Sequence, residues 1–216
     1  MRIGLFGGSF DPVHQGHLVA AQQALGQACL DELWFLPAAS PPHKAGQSRV
    51  PFQARLDMLN LALAGHPRMR VNTLESELPT PNFTVNTLRE LARRHPEHTW
   101  SFLLGGDMLA DLPTWREPVA LVEMADLVVM PRPEIPVITE SDLAARLGCP
   151  VRLLVLDGPR LEISSRWIRG QVRSGGSIRY LMPRAPEKYI QEHMLYGAPP
   201  EAATDSPSDK QGETLA

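Results

Sequence analysis

Gly7-Gly8-Ser9-Phe10-Asp11-Pro12-Val13-His14-Gln15-Gly16-His17 follows the short apolar run Arg2 to Phe6 and leads into a helical pattern over 16–28. An apolar run that ends in glycines is how a buried parallel strand closes. Gly7 and Gly8 let a bound phosphate approach the backbone, with free N–H groups of the next helix pointing at it. His14 and His17 stand at i and i+3, so at the first turn of that helix both rings share one face. A neutral imidazole donates one N–H and an imidazolium two, which suits a pentavalent phosphoryl group gathering negative charge.

Other readings of the stretch explain less of it. Glycines for geometry and Asp11-Pro12 as turn chemistry account for the local bend, but not for two imidazoles aimed at one turn. Asp11, His14 and His17 as metal ligands lack a further zinc ligand at a suitable spacing. A dinucleotide fingerprint wants Gly-x-Gly-x-x-Gly, and from Gly7 the third and sixth places are Ser9 and Pro12.

Outward from the turn, short apolar runs predict strands near 2–6, 32–37, 69–74, 99–104, 126–130 and 151–156. Between them the periodicity predicts helices near 16–28, 51–64, 84–95, 117–123, 140–147, 165–173 and 186–195. Repeated strand-helix alternation implies right-handed crossovers and a mostly parallel sheet covered on both faces: a doubly wound, Rossmann-like α/β fold in a single domain. Ligands of such sheets sit beyond the carboxyl ends of the strands at a switch point. The turn after the first strand and Gly105-Gly106-Asp107 after the fourth should therefore converge on one cleft.

Composition narrows the class. With 216 residues, 43% of them hydrophobic, the chain can bury one sizeable core but is short for two. A net charge of −3 argues against nonspecific nucleic-acid binding, so any phosphate site must be local. Residues 198–216 read as a disordered acidic tail: Glu201, Asp205, Asp209 and Glu213 against Lys210 carry the whole −3, leaving 20 acidic and 20 basic residues in the body, 1–197. Cys29 and Cys149 have no metal or redox spacing, and Cys29, inside a predicted helix, reads as packing. No apolar run approaches the ~20 residues of a membrane span, and the amino terminus lacks a signal-peptide layout, so a cytoplasmic, membrane-free protein is expected.

Three further elements carry chemistry. In Ile163-Ser164-Ser165, serine at a helix start can cap N–H groups or bond an oxyanion, and Arg169, one turn on, can reach phosphate oxygens. Pro37 to Pro51 is a long loop stiffened by proline, with Lys44, which on the residues alone reads as a solubilising cation, and His43 as a loop-positioning residue. Arg132 follows the fifth strand as another carboxyl-end cation. Among the aromatic residues, Trp115 is the candidate stacking platform, while Trp34, Trp100 and Trp167 read as core.

The pattern GG-S-F-D-P-x-H-x-G-H resembles the HIGH-motif nucleotidyltransferases, and the variant looks like the bacterial nicotinate-nucleotide adenylyltransferases. Ser40-Pro41-Pro42-His43-Lys44, Phe83-Thr84-Val85-Asn86-Thr87-Leu88, Gly105-Gly106-Asp107, Leu112-Pro113-Thr114-Trp115, Arg132-Pro133, Ile163-Ser164-Ser165 with Ile168-Arg169, and Tyr189-Ile190 to Leu195-Tyr196 fall in the family's order, covering residues 1 to about 197. The resemblance implies transfer of AMP from ATP to nicotinate mononucleotide, giving deamido-NAD and pyrophosphate in NAD biosynthesis. It implies His14, His17 and Arg169 as catalytic residues. Gly7, Gly8, Ser9, Phe10, Gly16, Lys44, Gly105, Asp107, Arg132, Ser164 and Ser165 would bind ATP and its phosphates, and Thr84 and Trp115 the nicotinate nucleotide. Asp107 resembles a residue that contacts the riboses or the amide region, and a helix N-cap is its other reading. Mg²⁺ would ride on the phosphates rather than in a protein carboxylate cage. Where the family usually has threonine the chain has Arg166, which loses a hydroxyl and adds a cation facing either substrate or solvent. A nicotinamide mononucleotide preference, a phosphopantetheine or cytidylyl transferase, and a noncatalytic nucleotide sensor remain as rivals, and the oligomeric state stays open.

Overall fold

The computed structural model describes residues 1–39, 50–131, 138–159 and 161–197. Within them lie six strands, β1 (Arg2–Gly8), β2 (Glu32–Pro37), β3 (Met69–Val71), β4 (Thr99–Gly105), β5 (Ala125–Met130) and β6 (Leu153–Val155). The helices are α1 (Gln15–Gln27), α2 (Phe52–Leu63), α3 (Thr84–Arg94), α4 (Gly106–Asp111), α5 (Pro118–Met124), α6 (Glu140–Leu147), α7 (Ser165–Arg173) and α8 (Arg184–Glu192). All strand pairs are parallel, in the order β3-β2-β1-β4-β5-β6. This is the doubly wound sheet expected from the alternation, and its order reverses between β1 and β4.

Alternation along each strand sends side chains to two separate cores, because successive residues of a strand face opposite ways. Phe6, Phe35, Leu103 and Val128 point to the layer that includes Ala21 and Leu25 of α1, Met58 and Leu59 of α2, Ile168 of α7 and Ile190 of α8. Ile3, Leu5, Trp34, Leu36, Phe102, Leu104, Leu127 and Val129 point to the layer of α3 to α6. Each such side chain, taken fully out of water, contributes about 1.5–3 kcal/mol before chain entropy is set against it.

The sequence-derived elements fall within a few residues of the observed ones, with three corrections. Helix α4 is not among the expected elements: Gly105-Gly106-Asp107 reads as a turn, yet Leu109 and Leu112 bury and pull the segment into a short helix. Trp167 is 51% exposed rather than core, since the buried stripe of α7 is Ile168 and Val172 and residue 167 lies about 100° off it. Cys29 lies just past the end of α1, exposed and with a φ of 49°, so it is not a packing residue of the helix. Lys44, His43, Arg132 and the tail 198–216 lie outside the described residues.

Candidate active site

The carboxyl ends of β1 and β4, flanking the switch point, open into a cleft of ≈ 400 Å³. Gly7, Gly8, Ser9, Gly16, Gly105, Asp107, Ser164, Ser165 and Arg169 line it together with His14 and His17, so the turn after β1 and the glycines after β4 do converge.

At the head of α1, His14 is the N-cap and His17 the third helical residue. The His14 amide donates to His17 Nδ1 at 3.2 Å, and the two rings stack with centroids 3.7 Å apart and planes 25° apart. An accepting Nδ1 fixes the neutral His17 as the Nε2–H tautomer, leaving Nε2 as the donor. Beneath it, Phe10 and Phe6 present their rings at 5.1 and 5.8 Å to the His17 ring, holding its plane. Gly16 keeps the approach to the His14 ring open: a Cβ there would lie 3.1 Å from it, tight enough that the ring would have to shift. The Phe10 side chain is 1% exposed, packs on Phe6 and Phe35 and does not line the cleft. That ring explains Gly8 as well, whose Cβ would meet it at 3.0 Å.

Across the cleft stands the amino terminus of α7. Ser164 is its N-cap, accepting from the Trp167 amide at 3.2 Å. The Ser165 hydroxyl donates to the Pro12 carbonyl at 2.9 Å, and Arg169 Nη1 donates to the Asp11 carbonyl at 2.5 Å. Both side chains therefore staple α7 to the turn that precedes His14, a task that the sequence reading, which aims them at phosphate, does not include. The first turns of α1 and α7 bring the positive ends of two helix dipoles to one cavity, an arrangement that attracts an anion. Arg166 also lines the cleft, while Asp107 sits in the first turn of α4 with Gly105 as the N-cap, which corrects the reading of Asp107 as the cap.

Three residues to which the motif reading gives no role in the site hold this frame. Arg55 of α2 is 3% exposed and donates to the carbonyls of Ser9 and Ala38 at 2.7 and 2.8 Å, tying the exits of β1 and β2 together. Its signal is present in the sequence: Arg55 shares the buried stripe of Met58, Leu59 and Leu63, where a charge is unexpected. Asp11 is 1% exposed and accepts from the Tyr196 hydroxyl at 2.6 Å. Burial first, and then the Asp11 carboxylate, push the Tyr196 phenol far above its usual range, so it remains a donor.

Thr84 and Trp115 are not brought into this cleft. Thr84 opens α3, and Trp115 follows the 3-10 turn Leu112–Thr114 with its ring at 6.1 Å from Phe102, edge to face. Phe102 belongs to the opposite core, and it is the side chain that a Cβ on Gly7 would meet, at 3.7 Å. Gly7 thus lies between this cleft and an aromatic wall on the other face.

The cytidylyltransferase-like family model matches residues 5–171, nearly the whole described domain. A probable nicotinate-nucleotide adenylyltransferase from Synechococcus sp. (strain JA-3-3Ab) is 43% identical over 198 residues, covering 90% of this chain and 94% of that protein. One from Thermus thermophilus is 45% identical over 196 residues, covering 91% and 100%. The chain belongs to the nicotinate-nucleotide adenylyltransferase family. The nicotinic acid mononucleotide adenylyltransferase of Plasmodium falciparum, complexed with NaAD, shares the fold of this adenylyltransferase, with a TM-score of 0.75 at 22% identity over 91% of this chain and 97% of that one.

Carboxylates near an adenylyltransferase's phosphates bear on its metal. Asp11 is turned toward Tyr196 and Arg169, so it does not join the two imidazoles as a ligand set. The other carboxylates lining the cleft, Asp107 and Glu162, stand on separate elements. This donor set fits a magnesium ion that keeps phosphate oxygens and water as most of its ligands. Among the described residues of this adenylyltransferase, no helix is long and apolar enough to cross a membrane.

Proposed function

We propose that this adenylyltransferase binds MgATP in the cleft between α1 and α7 and transfers AMP from it to nicotinate mononucleotide, releasing pyrophosphate and deamido-NAD. The observation that carries the reading is the stacked His14–His17 pair at one helix start facing a second helix start across ≈ 400 Å³. In this reading an oxygen of the mononucleotide 5′-phosphate attacks the α-phosphorus in line, and the bond from that phosphorus to the bridging oxygen of pyrophosphate breaks. The nucleophile is already an anion, so no general base is needed, and the protein contributes alignment and charge stabilisation.

Nε2–H of His17 and the His14 ring hold the oxygens of the transferring phosphoryl group. Amides at the start of α7, with Ser164, Ser165 and Arg169, take the β- and γ-phosphates, and Lys44 and Arg132 add cations from their loops. Gly7, Gly8, Ser9, Gly16, Gly105 and Asp107 shape the nucleotide site, with Phe10 supporting it from the core. A bound Mg²⁺ would neutralise charge on the triphosphate, beside Asp107 and Glu162. On the other side of Gly7, Trp115 stacks the pyridine ring and the start of α3 at Thr84 offers N–H groups to the carboxylate.

The test is competition between nicotinate and nicotinamide mononucleotides with MgATP, following pyrophosphate. The acid is expected to be consumed first. Equal use of the amide, or ATP binding without pyrophosphate release, would reject the reading.

A further inference from the structure

After α8 the chain turns sharply, with Met194, Tyr196 and Gly197 at φ of 48°, 59° and 80°. A non-glycine residue in the left-handed region persists only where its surroundings fix it. What fixes Tyr196 is at both ends of the side chain. Its ring packs on the core beside α7 and α8, and its hydroxyl reaches Asp11 Oδ1 at 2.6 Å, across 185 positions of sequence.

Asp11 stands at the centre of the frame described above. Its carboxylate is 1% exposed, with Oδ1 on Tyr196 and Oδ2 facing Arg169 Nη1 at 3.9 Å. Its carbonyl takes the 2.5 Å bond from that same Arg169 nitrogen, and the carbonyl of the next residue, Pro12, takes the Ser165 hydroxyl. Two residues further on is His14. Oδ2 has no hydrogen-bond partner among the described residues, so the tyrosine hydroxyl supplies the bond that holds the carboxylate; without it both oxygens of a buried carboxylate would be unmet and would draw the guanidinium away from the Asp11 carbonyl.

We propose that Tyr196 is a positioning residue for adenylyl transfer: by holding the Asp11 carboxylate, its hydroxyl sets where Arg169 and the His14–His17 turn stand. The carboxyl-terminal turn is then part of the active-site frame rather than a trailing end. This rests on the reading of His14, His17 and Arg169 as the phosphate-handling residues.

The molecule contains its own control. Tyr189 Oη donates to Asp57 Oδ2 at 2.9 Å, the same phenol–carboxylate chemistry in the same region, but neither residue lines the cleft. In the full chain, Tyr196→Phe is expected to lower kcat about tenfold while the KM for nicotinate mononucleotide stays within twofold, the scale of one lost charge-assisted hydrogen bond. Tyr189→Phe, which loses the same kind of bond, is expected to lower Tm by no more than Tyr196→Phe does and to leave kcat unchanged. Asp11→Asn reaches the same contact from the other side, and its effect on kcat should not add to that of Tyr196→Phe in the double variant. Equal losses of kcat in the two tyrosine variants, or full additivity in the cycle, would overturn the proposal. Measured beside them, His17→Ala separates the two ideas. If it cripples turnover while Tyr196→Phe turns over at the wild-type rate, only the positioning role falls; if it leaves turnover intact, the site reading falls and takes this proposal with it.

Discussion

Two histidine pairs with the same spacing, His14/His17 and His95/His98, sit at opposite ends of the same sheet and of two different helices. The first pair opens α1, with His14 as N-cap; the second closes α3, with His95 as C-cap. At the first, rings 3.7 Å apart face a cleft where two helix starts meet. At the second, rings 5.3 Å apart and parallel within 6° stand beside Glu97, with His98 Nδ1 at 3.2 Å and His95 Nδ1 at 3.9 Å from its carboxylate, and Trp34 and Trp100 against their edges. Imidazole alone decides nothing. The positive end of a helix dipole turns the first pair toward an anion, whereas the negative end and a carboxylate give the second nothing to offer a phosphate.

The contrast can be broken most directly at His17. His17→Ala is expected to lower kcat by ~10²-fold or more with a milder effect on ATP affinity, the scale of losing one transition-state donor, while unchanged turnover would leave the two pairs equivalent. Arg55→Ala should cost about 2 kcal/mol in urea unfolding, because the Ser9 and Ala38 carbonyls under the first pair lose a buried charged donor. Trp115→Ala should raise the KM for the mononucleotide by about five- to tenfold, with kcat little changed, the worth of one aromatic platform. A change confined to the KM for ATP would instead put the indole on the phosphate side.

On the α3 side, burial raises the pKa of Glu75, which also meets the Thr87 hydroxyl. A carboxyl whose folded pKa is raised contributes stability at low pH that is lost as pH climbs through that folded value. Glu75→Gln should therefore raise Tm at pH 8 by a degree or two, on the order of 0.5 kcal/mol, with the gain vanishing toward pH 4. A gain that persists in acid would point to packing rather than charge. The smallest effect is expected at the second pair: His98→Ala should leave kcat within twofold, and a large loss there would end the contrast.

Much of this is legible in the residues. Alternation of apolar runs and helical periods fixes a doubly wound sheet because strand and helix periods are set by backbone geometry, and the glycine-rich turn with its two histidines marks where the cleft opens. Helix α4 and the exposed Trp167 escape the sequence reading for one reason: a short or amphipathic segment gives too few residues to tell which face will find a partner. Thr84 and Trp115, candidates on the same footing as the motif, do not line the cleft, since which neighbours a helix start or the residue after a turn will meet is decided by packing rather than by local sequence.

The sequence by itself determined the order of strands and helices and the chemistry available at the exit of β1, because local propensity, periodicity and residue type act over a few positions. Only the tertiary structure decided that Arg55 bonds Ser9 and Tyr196 bonds Asp11 behind that exit, and that Ser165 and Arg169 bond the turn itself. Those contacts join positions 46 to 185 residues apart. Burying a charge or a hydroxyl is favourable only where a partner already waits, and the folded chain supplies that partner from far along its length.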